Sequence, residues 1–204
     1  MSFENGTRER LLACAKEEFL ANGYQKASLR TICAKADMTT GAVYFMFHDK
    51  EGLFSALVEP VYQGLMVALA EHFSEDEQED FITYVHTPGD HDDFAEMLIH
   101  ALYADYDAVA LLLTCAAGSK YENVVDRVIA LLEQNFGSMA VRYAESTGKE
   151  VNPFMTHWLS HMSVMAFVHL VTHERDREQA LRDIKPVMEH IIVGWLQYAV
   201  RDKA

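Results

Sequence analysis

Apolar residues recur at spacings of three and four along nearly the whole chain, and no stretch longer than four positions alternates apolar with polar. That pattern excludes a sheet as the organising element and predicts an all-α fold. The first helix is expected over 5–22, with Leu11, Leu12, Ala15 and Phe19 in one stripe and a stop at Asn22-Gly23. Ser28 is a good N-cap for a second helix, whose Leu29, Ile32, Cys33 and Ala36 fall at buried-face spacing. After a turn at Asp37-Met38, Thr39 or Thr40 caps a third helix, and Asp49 caps a fourth that runs to about residue 72. Pro60 lies inside that fourth helix and is expected to bend it.

Further on, the acidic run 74–80 reads as a solvated loop and Thr87-Pro88-Gly89 as a break. Helices are expected from Asp90 or Asp92 to about 104, over 105–117 and over 121–146, the last closed by Thr147-Gly148. Asn152-Pro153 is an N-cap followed by proline at the first helical position, opening a helix to about 172. Asp176 and Gln179 have capping-box spacing for the last helix, bent at Pro186.

The charge is uneven. The net −14 lies entirely beyond residue 52, because residues 1–52 hold seven Lys/Arg against seven Asp/Glu. Residues 24–50 carry a small positive excess, which hints at an anionic partner for the N-terminal part. Cys14, Cys33 and Cys115 are three scattered cysteines without CxxC spacing, read as reduced thiols. No secretory signal is visible, and no apolar run approaches the ~20 residues of a bilayer span. A cytoplasmic protein without a membrane partner is the expectation.

Residues 39–54, TTGAVYFMFHDKEGLF, put Tyr44, Phe45 and Phe47 in a helix too short to bury them all. With Val43 and Phe47 turned inward, Thr39, Thr40, Ala42, Tyr44 and Phe45 must look outward. The second helix, the turn and the third helix then form a helix-turn-helix, whose second member enters a DNA major groove. A phenol can bond a phosphate oxygen, threonines can meet base edges, and the small Gly41 and Ala42 let the helix axis come close. Lys50, in the first turn of the next helix, suits a helix dipole poorly and suits a phosphate well.

The stretch from Arg10 to Leu57 resembles the N-terminal DNA-binding domain of the TetR family of bacterial regulators. The likeness rests on Phe19, Gly23-Tyr24, Ser28-Leu29, Ile32 and the run Gly41-x-x-Tyr44-x-x-Phe47-x-x-Lys50-Glu51-x-Leu53. The resemblance implies base-proximal Thr39, Thr40, Gly41 and Ala42, phosphate contacts at Tyr44 and Lys50, an aromatic against DNA at Phe45, and approach of Ser28 and Arg30 from the second helix. Two departures are Asp37, where the family usually has glycine, and Met46, where His or Tyr is common. The resemblance also implies a non-enzymatic homodimer that binds an operator duplex, takes a small-molecule effector and needs no cofactor. Residues 1–52 would form the DNA-binding domain, with the fourth helix continuing as a connector to about 72. Residues 53–204 would bind ligand and dimerise through the last two helices.

Within that second part, Phe94, Met97, Tyr103, Tyr106, Phe136, Trp158, Met162 and Met165 are candidate pocket residues. Met188, Ile191, Ile192, Gly194, Trp195 and Tyr198 are candidates for the dimer face, because that helix is apolar on two sides. His157/His161 and His169/His173 have the i, i+4 spacing of zinc chelates. Their drift of about 160° around the helix prevents all four from meeting one ion, so no metal site is assigned. The cluster His86, Asp90, His91, Asp92 and Asp93 is adequately explained by helix capping. The competing readings are a helical metal-dependent hydrolase, resting on the histidine pairs, and a DNA-binding protein without a sensor.

Overall fold

The computed structural model describes residues 2–76 and 90–203, with side chains described over 6–73 and 94–203. The fold is all-α. The described residues form α1 (Ser2–Lys26), α2 (Leu29–Lys35), α3 (Thr40–Phe47), α4 (Lys50–Asp76), α5 (Asp90–Ala104), α6 (Tyr106–Thr114), α7 (Val124–Thr147), α8 (Pro153–His173) and α9 (Arg177–Tyr198). The break at 87–89 and most of the acidic run lie outside the described residues, as does the side-chain arrangement of the His86–Asp93 cluster.

Helix ends follow the sequence signals, with two corrections. At α1, Gly23 sits at φ 70°, ψ 162°, so the helix proper stops where Asn22-Gly23 predicts and one further turn follows the kink. At α9, Asp176 caps by accepting the Gln179 N–H at 2.8 Å. The box is not reciprocal, however: Gln179 turns its amide to Asp183 at 2.7 Å, and the Asp176 N–H goes to Glu174. Asn152 caps α8 with Pro153 behind it, and Asp105 caps α6 by accepting from Ala108 N–H. Both Pro60 and Pro186 are taken up inside helices, α4 and α9.

The sequence gives no sign of a strand, yet β1 (Glu150–Val151) pairs antiparallel with β2 (Val200–Arg201). Two residues are too few to show alternation. The pair satisfies backbone groups where the chain leaves α7 and α9, and the Asn152 N–H extends it by bonding the Ala199 carbonyl at 2.8 Å.

Two compact units divide the chain: Met1–Gly64 with Ala104–Val124, and Leu65–Tyr103 with Val125–Ala204. The first is larger than the expected DNA-binding segment 1–52, because α6 and the turn after it pack on α1 and the start of α4. Tyr24 N–H donates to the Cys115 carbonyl at 2.8 Å, and Lys16 pairs with Asp107 at 3.0 Å. Leu11, Ala15, Phe19, Ile32, Ala36, Val43, Leu53, Phe54 and Val58 are all fully buried and form its core. Phe54 meets Phe19 edge-on at 5.0 Å and Tyr24 at 5.1 Å. Each such side chain contributes roughly 1.5–3 kcal/mol by leaving water.

By length and composition α4 over Lys50–Phe73 could cross a bilayer, although the sequence reading found no such run. Lys50, Glu51 and Glu59 interrupt it to the eye, and its first turns are spent on the core just described.

In the second unit, one cluster holds Leu69, Phe73, Ile129, Leu132 and Val164; another holds Ala95, Ile99, Ala180 and Ile184. A third surrounds Trp195 with Met139, Ala140, Leu159 and Ala199. The α8–α9 hairpin contributes to all three.

Candidate nucleic-acid interface

Ser28 begins the site. Its hydroxyl accepts the Thr31 N–H at 3.4 Å, and its own N–H donates to the Glu18 carboxylate at 3.2 Å. Glu18 is buried, 6% exposed, on the α1 face one helical repeat beyond Leu11, with its other oxygen 3.7 Å from Lys35 Nζ. A carboxylate therefore ties the start of α2 to α1. The sequence reading missed it, although a glutamate on an otherwise apolar stripe is a visible signal.

Asp37 turns the chain at φ 55°, the left-handed conformation that aspartate tolerates and glycine adopts freely. The Met38 N–H closes the turn on the Cys33 carbonyl at 2.8 Å. Thr39 is the extended N-cap of α3, and its hydroxyl makes no capping bond.

The third helix then splits as its spacing predicts. Val43 and Phe47 point inward, at 0% and 6% exposure, while Tyr44 and Phe45 stand out at 58% and 80%. Thr39, Thr40 and Gly41 are exposed and Ala42 half-buried. A Cβ on Gly41 would meet only the Thr39 hydroxyl, at 3.5 Å, so no internal packing demands glycine there. From α2, Arg30 is exposed and Ser28 half-buried.

Lys50 is placed differently from a freely extended cation. Its Nζ donates to the Gln25 carbonyl at 3.2 Å and lies 4.8 Å over the Tyr24 ring; burial lowers its pKa. The Tyr24 hydroxyl donates to Glu51 at 3.0 Å, and burial, that bond and neighbouring carboxylates push its pKa up to about 12. Asp49 caps α4 through the Gly52 N–H at 2.7 Å. This corner is a cation held on an aromatic plate, which spacing alone did not reveal.

The eight candidate pocket residues do not share one lining. Phe94 stacks on His72 at 3.5 Å and packs with the Leu69 cluster, and Phe136 joins that cluster to the one around Trp195. Tyr103 packs with Ile99 and Ile184, donating to the Glu174 carbonyl at 2.7 Å. Tyr106 belongs to the first unit, Met162 is half-buried, and Met97, Trp158 and Met165 are exposed. A cleft of about 420 Å3 lies instead between α8 and α9, lined by Ala166, His169, Leu170, His173, Glu174, Asp183, Ile184 and Val187.

The dimer-face candidates also divide. Ile191 and Trp195 are buried in this chain's own core, and Met188 packs on the Ile184 cluster. A Cβ on Gly194 would touch Leu159 of α8 at 3.7 Å, so its small size serves that internal contact. Ile192 is half-buried and Tyr198 exposed. A helix apolar on two sides must give one to its own hairpin, and periodicity cannot say which. On α8, Phe154, Trp158 and Met165 form an exposed stripe at spacings of four and seven. His157 bonds Glu133 at 3.0 Å, and the rings of His169 and His173 stack at 4.0 Å. Among the described residues no three His, Cys, Asp or Glu side chains gather as a metal-holding group.

Residues 11–57 match the profile of bacterial regulatory proteins of the tetR family. The HTH-type transcriptional regulator UidR of Escherichia coli K12 is 38% identical over 52 residues, 26% of this chain and 26% of that protein. The matched segment thus spans about a quarter of the curated relatives' length. Over nearly the whole chain the fold is that of a transcriptional regulator from Aquifex aeolicus VF5, with TM-score 0.57, 20% identity, and coverage of 91% of this chain and 99% of that one. It is also that of SmeT, solved in complex with triclosan, with TM-score 0.58, 24% identity and coverage of 92% and 90%.

Proposed function

We propose that this chain, whose residues 11–57 match the tetR-family profile, is a homodimeric, ligand-released repressor of the TetR family acting on DNA in the cytoplasm. The carrying observation is the ridge from Thr39 to Phe45, with two aromatics in solvent over a fully buried Val43. A monomer gains nothing from that exposure, whereas a duplex would cover it. Thr39, Thr40, Gly41 and Ala42 take the base edges; Tyr44 takes a phosphate, Phe45 lies along the backbone, and Ser28 and Arg30 approach from α2. Lys50 reaches a phosphate from its place over Tyr24.

A second copy supplies the second reading head, because half-sites repeat at about 34–36 Å along a duplex. Phe154, Trp158 and Met165 on α8, with Tyr198 and Val193 on α9, are the exposed apolar surface that such a copy would cover. The effector is a small, largely apolar molecule bound in the second unit, a reading supported by the triclosan complex of SmeT. It releases DNA by binding better to the conformation with misplaced reading heads, a coupling of about 1–3 kcal/mol in typical cases.

The test is selection of duplexes from a random-sequence pool, followed by anisotropy titration of wild type and Tyr44→Ala. Loss of at least about tenfold in affinity is expected at an unchanged salt slope, because the phenol carries no charge. Equal binding by both proteins would remove the ridge from the interface.

A further inference from the structure

The turn after α6 reaches the corner that holds Lys50. Lys120 N–H lies 3.4 Å from both carboxylate oxygens of Glu51, the residue that anchors Tyr24 beneath Lys50. The Lys120 side chain goes the other way along α4, to Glu59 at 3.1 Å. Glu59 also accepts from the Tyr121 hydroxyl and from Gln63 Nε2, at 2.7 Å for the latter. At Gly118, φ 85°, an added Cβ would stand 3.5 Å from the Gln25 side chain, and Gln25 is the residue whose carbonyl receives Lys50. The turn therefore touches both supports of that lysine.

We propose that residues 118–121 are a positioning element for the Lys50 phosphate contact, acting through Glu51 and Tyr24, with the Lys120–Glu59–Tyr121 contacts as the latch that seats them. The proposal rests on the DNA-binding reading above and adds a regulatory route to it. With the turn seated, Glu51 is engaged by Tyr24 and Lys120, and Lys50 stays on its plate facing outward. With the turn displaced, Glu51 loses a donor and becomes available to its neighbour Lys50, whose charge it then neutralises. The Gln63 and Tyr121 donors, followed by Lys120, hold the Glu59 carboxyl down at about 2, so the latch is ionised throughout the physiological range. None of these groups has to touch DNA.

That separation makes the test. A labelled duplex selected by the wild-type protein is titrated across a salt series with wild type, Lys120→Met, Glu59→Gln, the double variant and Lys120→Arg. Lys120 is more than half exposed, so folding should survive; thermal melts check it, and Tyr121→Phe opens the latch by removing only a hydroxyl. Each single variant is expected to bind about tenfold more weakly, the double no worse than either single, and Lys120→Arg close to wild type. The slope of log affinity against log salt falls by about 0.9 in Glu59→Gln and Tyr121→Phe as well as in Lys120→Met, because a neutralised Lys50 no longer pairs with its phosphate. Additive losses, wild-type affinity in Lys120→Met and Tyr121→Phe, or a slope that falls in Lys120→Met alone would overturn the latch. A wild-type protein that enriches no duplex would instead overturn the DNA-binding reading itself.

Discussion

Phe45 keeps most of its ring in water, and Tyr44 does nearly the same, one turn from residues that are sealed. Side chains of this kind normally stabilise a fold by burial, so their position here serves something external. Gly23 shows the opposite case, a residue required by the fold alone. Its φ of 70° with ψ of 162° is accessible essentially only to glycine. Gly23→Ala is expected to cost about 1–3 kcal/mol, read as a lowered urea midpoint without change in m. Glu59 gives a pH signature. Its folded pKa of about 2 lies below the ordinary glutamate value near 4.3. Its contribution is therefore complete above that ordinary value and is lost as pH falls from there toward 2. Glu59→Gln should flatten the acid limb of a stability-versus-pH curve in that window and leave pH 7 to 9 unaltered in shape. Val43, Phe47 and the outward pair were legible from a spacing of four in a short helix. Glu18 was visible only as an odd acid on an apolar stripe, because its partner, the Ser28 N–H, lies at the start of another helix.

Caps and breakers carried most of the information at the level of helices. Ser28, Asp49, Asp105, Asn152 and Asp176 all accept a backbone N–H within their own first turn, and each was readable from residue type and position. Asn152→Ala should lower stability by about 1 kcal/mol, measured by chemical unfolding, since the cap is lost while Pro153 still starts the helix. What escaped the sequence was which side of an element faces which neighbour. In α9 the apolar positions fill two sides, and only packing shows that Gly194 and Trp195 turn toward α8. The same ambiguity scattered the pocket candidates: aromatic and Met positions on α5, α7 and α8 are compatible with several cores, and three separate clusters resulted. The turn after α6 was illegible for a further reason. Its contacts with α1 and α4 join residues some sixty to ninety positions apart, where local pattern has no reach.

For the molecule as a whole, affinity for DNA and self-association should rise and fall together. A lone reading head contacts one half-site; a pair gains from effective concentration without any new contact. Trp158→Glu or Met165→Glu places a charge in the exposed α8 stripe and should convert a dimer to a monomer in light-scattering chromatography. Operator affinity should then drop by at least about a hundredfold at unchanged helical content. A dimer surviving both changes would move the interface elsewhere. Ligand release is checked by melting curves: an apolar effector that lowers duplex affinity should raise the unfolding temperature in the same concentration range.

The two tryptophans of the chain sit on the two helices of one hairpin, Trp195 enclosed and Trp158 nearly half in solvent. Nature has thus installed a pair of fluorophores that answer different questions. Emission from the sheltered indole reports loss of the native interior, while emission from the outer one responds to whatever settles on that surface. Replacing either by phenylalanine leaves a single-colour sensor, so assembly and unfolding can be followed separately in one cuvette without attaching a dye.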